Sequence, residues 1–177
     1  MNKYEKMRIS EIERHTKNIS HDNGAQGRIF EIECASKNSK KTRVSKQGET
    51  DIYIHIGTKN SNIKAECKTN GGRIESLING TNKSKFVVYR MDYTVKHKAT
   101  KTKPERIEKR YISPVVIPTE IFINALVRFN AIKNTNGKNP ELAIQVSSKK
   151  FYEWLLDWPI PFDAETIYTY DDFDGLI

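Results

Sequence analysis

Hydrophobic and polar residues alternate in two neighbouring stretches of the chain, residues 51–56 and residues 62–68. Every second residue is apolar in both: Ile52, Ile54 and Ile56 in the first, and Ile63, Ala65 and Cys67 in the second. Successive side chains of a β-strand point to opposite faces, so each stretch predicts a strand with one apolar and one polar face. The intervening residues 57–61 include Gly, Asn and Ser and predict a hairpin connection.

The polar faces of these two strands carry Asp51, Glu66 and Lys68. A turn centred near Lys59 and Asn60 would pair Asp51 near Lys68 and make Glu66 a diagonal neighbour. Diagonal neighbours on adjacent strands are about 7–8 Å apart, within reach of one shared ion. Two carboxylates and an ammonium placed in this way can hold a divalent metal ion against a phosphate. The alternative is an amphipathic hairpin with a solvated polar face and an ion pair between Glu66 and Lys68.

Further elements are predicted on both sides of this hairpin. It is preceded by a helix over residues 24–35 and a short strand over residues 41–45. It is followed by a short helix over residues 72–79, ended by Gly80, and a strand over residues 85–93. Beyond these, the pattern predicts a strand over residues 111–117, a packing helix over residues 118–129, a strand over residues 142–146 and a helix capped by Ser147 or Ser148.

The order helix–strand–strand–strand–helix–strand, with Asp on the second strand and Glu-x-Lys on the third, resembles the PD-(D/E)xK nuclease superfamily. That superfamily has the restriction-endonuclease-like fold and includes type II restriction enzymes and Holliday-junction resolvases. The resemblance covers residues 24–93. It implies an α/β fold with a mixed central sheet flanked by helices in the order αβββαβ, followed by C-terminal α/β additions.

Carried over residue by residue, the resemblance makes Asp51 the metal-binding aspartate, Glu66 the second acidic residue and Lys68 the motif lysine. Thr50 stands where the family usually has proline. The implied cofactor is Mg²⁺, with Mn²⁺ as a substitute, because a few oxygen ligands and the substrate phosphate suffice to hold it. The backbone carbonyl of Cys67 is a further expected ligand.

The family often adds a glutamate from the first helix, and here Glu31 and Glu33 are the two candidates. Glu31 follows Gly27 by four residues, as in resolvase-like members, and its helical neighbours are small enough for close approach to the sheet. Glu33 lies on the apolar side of the helix, where a glutamate would reach beyond the core or pair with a nearby lysine. We therefore expect Glu31 to be the catalytic ligand.

The positive charge of the chain indicates that the phosphate bound at this site belongs to a nucleic acid. The 177 residues contain 30 Lys and Arg against 22 Asp and Glu, a formal net charge of +8. Such a balance favours a polyanionic partner. The length fits one nuclease domain, with a core over residues 24–93, a basic loop over residues 94–110 and C-terminal additions over residues 111–177.

The basic loop is the densest positively charged segment, and we expect it to hold DNA phosphates along a groove. The alternative is a flexible lysine-rich surface loop. The expected DNA contacts are Lys96, Lys98, Lys101, Lys103 and Arg73.

The remaining polar residues give weaker signals. Cys34 and Cys67 lack the spacing of a zinc site and suit small buried positions rather than a disulfide. His55 is expected to be a solvated or hydrogen-bonded surface histidine. Residues 153–177 hold seven acidic residues and no Lys or Arg. This tail either covers part of the basic surface or keeps the protein soluble, and the tryptophan-rich start of the tail is expected to dock the C-terminus.

The sequence therefore predicts a hydrolase: a Mg²⁺-dependent DNA endonuclease, of restriction type or selective for DNA structure. The alternatives are a catalytically inactive DNA-binding module on a nuclease fold and a ribonuclease. A homodimer is one expected assembly, because double-strand cleavage needs two active sites. The sequence has no run of about 18 apolar residues and no apolar signal-peptide core, so we expect no membrane partner and a cytoplasmic location.

Overall fold

A computed structural model describes residues 30–34, 52–69, 74–134, 144–146, 148–163 and 166–176. The predicted strand over residues 41–45, Asp51 and Arg73 lie outside the described residues. Among the helices that are described, none has the length and apolar character needed to cross a membrane.

Four strands form one mixed sheet in the order β1-β2-β3-β4. They are β1 (Ile52–Ile54), β2 (Ile63–Thr69), β3 (Phe86–His97) and β4 (Arg106–Pro118). Strand β2 pairs with β3 in parallel, whereas β1 with β2 and β3 with β4 are antiparallel. A separate antiparallel pair contains β5 (Ile132–Asn134) and β6 (Ile144–Val146).

The helices confirm an α/β architecture. They are α1 (residues 30–34), α2 (Glu75–Ile78), α3 (Thr119–Arg128) and α4 (Lys149–Leu156), followed by a 3₁₀ turn at Tyr170–Phe173. Helix α2 lies in the crossover between the parallel strands β2 and β3, and the positive φ of 72° at Gly80 ends it, as the sequence predicts. The Ser148 side chain caps α4 by accepting a hydrogen bond from the Phe151 N–H.

The core lies on both faces of the sheet around β3. Strand β3 contributes Val87, Val88 and Tyr89, all of which are fully buried. The Tyr89 ring packs 5.4 Å from Phe122 of α3 and 6.0 Å from Phe151 of α4, measured between ring centroids. Helices α3 and α4 therefore cover the face to which Tyr89 points.

The alternation of the first hairpin is confirmed, but its predicted register is wrong. Ile52 pairs with Ala65, whereas the predicted turn would place it opposite Cys67. The chain already turns at Gly57, whose φ is 79°, so the connection is centred between Thr58 and Lys59, one residue earlier than predicted. The Gly57 N–H donates to the Tyr168 carbonyl at 2.6 Å.

The basic segment predicted to be a loop over residues 94–110 is mostly strand. Strand β3 continues to His97 and β4 begins at Arg106, so the connection covers only residues 98–105. Beyond Met91 and Ile112, which are both buried, the two strands pair from Asp92 with Tyr111 out to His97 with Arg106. We call this hairpin, residues 92–111, the arm.

A β-bulge separates the arm from the core part of the same two strands. Tyr89 pairs with Val115 but Met91 pairs with Ile112, which leaves one extra residue on β4, next to Pro114. A bulge bends the strand and increases its twist, and it is a position in a sheet where proline is tolerated. The arm therefore leaves the core at a changed angle.

The tryptophan-rich start of the acidic segment docks on β4, as predicted. The Trp158 indole N–H donates to the Val116 carbonyl at 2.8 Å, and the Val116 N–H donates to Ile160 at 3.0 Å. One step further, the Phe162 N–H donates to the Pro114 carbonyl at 2.7 Å. This part of the C-terminal region therefore packs against the sheet.

Candidate functional site

Alternation along β2 places Glu66 and Lys68 on the same face, and their side chains meet. The Lys68 Nζ donates to Glu66 Oε1 at 2.7 Å. The Glu66 side chain is only 9% exposed and the Lys68 side chain 17%. The ion pair is the one that the alternative interpretation of the hairpin expected, but the solvated polar face of that alternative is wrong for Glu66, which is buried.

Asn82 completes the surroundings of the Glu66 carboxylate. Its Nδ2 donates to Glu66 Oε2 at 2.7 Å, and its Oδ1 accepts from the Ser84 N–H at 2.9 Å. Both carboxylate oxygens therefore accept hydrogen bonds, one of them charge-assisted, and this fixes the orientation of the carboxylate. Sequence reasoning missed Asn82. The Asn-Gly-Thr-Asn run after α2 signals a turn, but nothing local indicates a contact with β2.

The Glu66–Lys68 pair lies near the end of the sheet from which the arm extends. Lys68 pairs in parallel register with Tyr89, and the arm begins three residues later at Asp92. At about 3.3 Å per residue, this separation is about 10 Å along the strand. The described residues of the predicted catalytic motif and the predicted phosphate contacts therefore share one end of the sheet.

Helix α1 is fixed to the sheet by Glu33. The Glu33 carboxylate pairs with Arg90 at 2.8 Å, and the Arg90 guanidinium lies 4.4 Å from the Phe30 ring centroid. The expected partner of Glu33 was a lysine; it is an arginine. Because side chains alternate, Arg90 points to the opposite face from its neighbour Tyr89. Glu33 is therefore engaged in packing α1, while Glu31 lies half-buried on the same helix.

The proposed metal ligands are only partly within the described residues. These residues contain no group of three or more His, Cys, Asp or Glu side chains placed to hold a metal ion. Asp51, the first expected ligand, lies outside them. Glu66 supplies a buried carboxylate whose hard oxygen atoms suit Mg²⁺. Cys67 is buried beside it, and Cys34 is buried on α1, as the sequence predicts.

The four lysines predicted to contact DNA all belong to the arm, and all are exposed. Lys96 lies on β3, and Lys98 follows the end of that strand. Lys101 and Lys103 lie at the tip, where the Thr100 N–H donates to the Lys103 carbonyl at 2.8 Å and the Lys103 N–H donates to Thr100 Oγ1 at 3.1 Å. The tip is therefore a hydrogen-bonded turn.

His55 is not a surface residue, and this corrects the expectation from the sequence. It is only 4% exposed, and its Nδ1 donates to the Ser61 carbonyl. Within the described part of the chain, its Nε2 has no hydrogen-bond partner. A short loop carrying Ser61 folds back over β1, so His55 stabilises that loop and is unavailable to contact substrate directly.

Comparison with known proteins gave no match: no family model, no curated protein and no solved structure is similar to this chain. The functional argument therefore rests on its own residues. These place a fixed, buried carboxylate and an ammonium side by side, near the base of an exposed cationic hairpin. Such an arrangement can orient a phosphate and offset negative charge that develops on it.

Proposed function

We propose that the protein is a Mg²⁺-dependent DNA endonuclease that hydrolyses phosphodiester bonds and has a core of the PD-(D/E)xK type. The observation that carries this proposal is the buried Glu66 carboxylate, 2.7 Å from the Lys68 ammonium, at the end of the sheet that extends into the arm. The parallel crossover from the Glu-x-Lys strand through a short helix into the next strand is also in keeping with such a core.

Stability alone does not account for this ion pair. Removing two charges from water costs several kcal/mol per ion, and well-packed hydrophobic residues in their place often stabilise a protein as well or better. Glu66 sits beside Val87 and Lys68 beside Tyr89 in the neighbouring strand, so an apolar pair would fit this face. The charged pair therefore has a reason other than packing, and phosphate chemistry supplies one.

Each residue of the site has a separate task. Asn82 and Lys68 hold the Glu66 carboxylate in one orientation. Lys68 also orients the attacking water and offsets the charge that builds up on the phosphate in the transition state. Asp51, Glu66 and the Cys67 carbonyl are the proposed ligands. Bound there, Mg²⁺ would supply polarisation of the scissile phosphate and a lowered pKa for a coordinated water. Glu31, the further ligand expected from the sequence, lies on α1, which packs against Arg90 on the opposite face of the sheet.

DNA is the proposed substrate because of the charge of the arm. Its four exposed lysines extend from the sheet end that carries Lys68. A row of ammonium groups beside a phosphate-cleaving site holds the nucleic-acid backbone and increases the local concentration of the substrate. The arm therefore positions the polymer, and the Glu66–Lys68 pair acts on one of its phosphates.

The test is cleavage by the variant Glu66→Gln, which keeps the shape of the side chain but removes its charge. We expect its rate to fall at least about 100-fold, in line with losses measured when one group that stabilises a transition state is removed. Glu33→Gln is the matched control, because Glu33 is paired with Arg90 on the opposite face. In the same assay, Glu31→Gln tests the ligand expected on α1: a fall in cleavage as large as that of Glu66→Gln would place Glu31 at the metal. Glu33→Gln should instead lower the melting temperature, because it breaks the pair with Arg90.

The substrates are supercoiled plasmid, a four-way DNA junction and RNA, each with Mg²⁺ and with a chelator. Discrete plasmid fragments would identify a restriction-type enzyme, and symmetric cuts at the junction a structure-selective one. Cleavage of RNA alone would make the protein a ribonuclease. Binding of DNA without cleavage, or equal cleavage by wild type and Glu66→Gln, would refute the nuclease assignment.

A further inference from the structure

The arm is long enough to act as an independent structural element. Six residue pairs, from Asp92 with Tyr111 to His97 with Arg106, follow the buried residues Met91 and Ile112. At about 3.4 Å per residue, this ribbon extends about 20 Å beyond them before the tip begins. The tip is closed by the two hydrogen bonds between Thr100 and Lys103. The arm is therefore a formed two-stranded ribbon.

The two faces of the ribbon differ in chemistry. Lys96 pairs with Ile107, so their side chains share one face, and Tyr111 joins them because it is four residues from Ile107 on the same strand. Ile107 is 61% exposed and Tyr111 is 56% exposed. The other face carries a hydrogen bond between His97 Nε2 and the Glu108 carboxylate, at 2.9 Å. Among the described side chains of the ribbon, the first face thus presents two exposed apolar groups and an ammonium, whereas those of the second face, His97, Arg106 and Glu108, are all polar.

The exposed apolar side chains on this face indicate a binding surface. Single exposed hydrophobic residues are normal on a protein surface, whereas several on one small patch indicate an interaction site. Ile107 and Tyr111 are two of five large hydrophobic residues that are exposed in the described chain, and they share one face of a narrow ribbon. The face is therefore suited to a partner that offers both apolar and negatively charged groups.

We propose that the arm enters the major groove of duplex DNA and contacts base edges with the face that carries Lys96, Ile107 and Tyr111. The major groove, about 12 Å wide, admits a two-stranded β-ribbon. It offers thymine methyl groups to Ile107 and guanine acceptors to Lys96, with the Tyr111 ring alongside. This inference rests on the proposed DNA substrate and adds which part of the duplex is read and by which residues.

Charge distinguishes this partner from an apolar protein surface. The arm contains seven Lys and Arg residues against three acidic residues. The tip lysines, Lys98, Lys101 and Lys103, are placed to meet phosphates when the ribbon lies in a groove, because they follow the end of the paired strands. The bulge at the base of the arm changes the angle at which the ribbon leaves the core, a common role of bulges next to functional sites.

The test is duplex binding in the presence of a chelator, so that it does not depend on cleavage. The probes are a mixed-sequence 30-base-pair duplex and the same duplex with glucosylated hydroxymethylcytosine, which fills the major groove. We expect the modified duplex to bind at least about tenfold more weakly, whereas a minor-groove ligand such as netropsin should have little effect on the unmodified duplex. Tenfold is the order of change caused by losing one good base contact.

The variant is Ile107→Ala with Tyr111→Ala. We expect it to bind the unmodified duplex about tenfold more weakly, with an unchanged dependence on salt, because no phosphate contact is removed. The matched control is Val127→Ala with Tyr170→Ala, which removes an aliphatic and an aromatic side chain that are 63% and 65% exposed elsewhere on the protein. The control should bind as the wild type does, and circular dichroism should show that both variants are folded.

Equal binding of the modified and unmodified duplexes would overturn the proposal and leave the arm as a phosphate contact. So would wild-type binding by the Ile107 and Tyr111 variant, or a change in its oligomeric state, which would make the face an interface between two copies of the chain. A protein that binds through this face but does not cleave DNA would refute the nuclease function and leave this inference standing.

Discussion

The inner and outer halves of the hairpin formed by β3 and β4 are continuous in backbone pairing but opposite in environment. In the inner half, strand pairing joins Val87, Val88 and Tyr89 to residues 115–117, and all six residues are buried. In the outer half, Lys96 pairs with an Ile107 that is 61% exposed. Strand pairing is thus maintained where burial has ended. Burial against the core therefore stabilises the inner half, whereas the exposed side chains of the outer half are accessible to a partner.

If this division is correct, substitutions in the two halves should affect different measurements. The inner half should control the free energy of unfolding, because large buried side chains make the main contribution to it. The outer half should control DNA affinity and have little effect on unfolding, as is usual for exposed positions.

The largest effect is expected from Tyr89→Ala in the inner half. This variant removes a fully buried ring that packs against Phe122 and Phe151. We expect the free energy of unfolding to fall by about 3–5 kcal/mol, the range for truncating large buried aromatic residues. Ile107→Ala on the outer half should change it by less than about 0.5 kcal/mol. Urea denaturation measures both, and similar losses in the two variants would contradict the division.

A smaller effect, on the pH dependence of stability, tests whether the C-terminal segment is packed against the core in solution, as the inner half is. Burial raises the pKa of Tyr168 to about 12, and its hydroxyl donates to the Pro161 carbonyl at 3.0 Å. The unfolded chain loses this proton near pH 10. The stabilisation is therefore complete below pH 10 and is lost as the pH rises towards 12. Burial also raises the pKa of Tyr89, in the same direction.

We expect the urea midpoint of the wild type to fall between pH 10 and pH 12, and to fall less steeply in Tyr168→Phe. That variant should be less stable at pH 8, because it loses the hydroxyl hydrogen bonds, so the informative quantity is the slope against pH. An identical slope in both proteins would mean that Tyr168 is not held in a buried environment in solution.

The smallest effect on stability is expected from replacing Lys96, Lys98, Lys101 and Lys103 with glutamine. The free energy of unfolding should change by less than about 0.5 kcal/mol, because all four side chains are exposed. DNA affinity should instead lose salt dependence, by about 0.9 in the log–log slope for each phosphate contact removed.

The control for that experiment replaces four exposed lysines elsewhere and so makes the same change in net charge: Lys59, Lys83, Lys149 and Lys150. Binding isotherms over a range of NaCl concentrations should show the wild-type slope for this control. Equal slopes in the two quadruple variants would mean that the arm adds only general charge, and the binding groove would lie elsewhere.

The sequence predicted local structure where one face of an element is buried. Alternation placed Ile52 and Ile54 on a buried face, and helical spacing correctly identified Phe122 and Leu126 as core positions of α3. The adjacency of Glu66 and Lys68 also followed from alternation. These features depend only on the period of a strand or helix, which the sequence records directly.

Features that depend on distant contacts were not predictable in this way. The hydrogen bond between Gly57 and Tyr168, which are more than one hundred residues apart, leaves no local signal in the hydrophobic pattern. Asn82 reaches Glu66 across a crossover. In the outer half of the β3–β4 hairpin, the described side chains at residues 96–97 and 106–108 are not buried, so burial imposes no apolar alternation there, and the charged residues instead suggested a loop.

The hydrogen bonds of Trp158, Ile160 and Phe162 to β4 have a consequence for solubility. Strand β4 is the last strand of its sheet, and an uncovered terminal strand offers free backbone groups to which another molecule can add. The segment at residues 158–162 occupies those groups at Val116 and Pro114, and the chain that follows is rich in acidic residues and lacks Lys and Arg. The segment therefore prevents another strand from pairing with this edge of β4. Proteolytic loss of the segment would expose the backbone groups of Val116 and Pro114 and favour edge-to-edge aggregation.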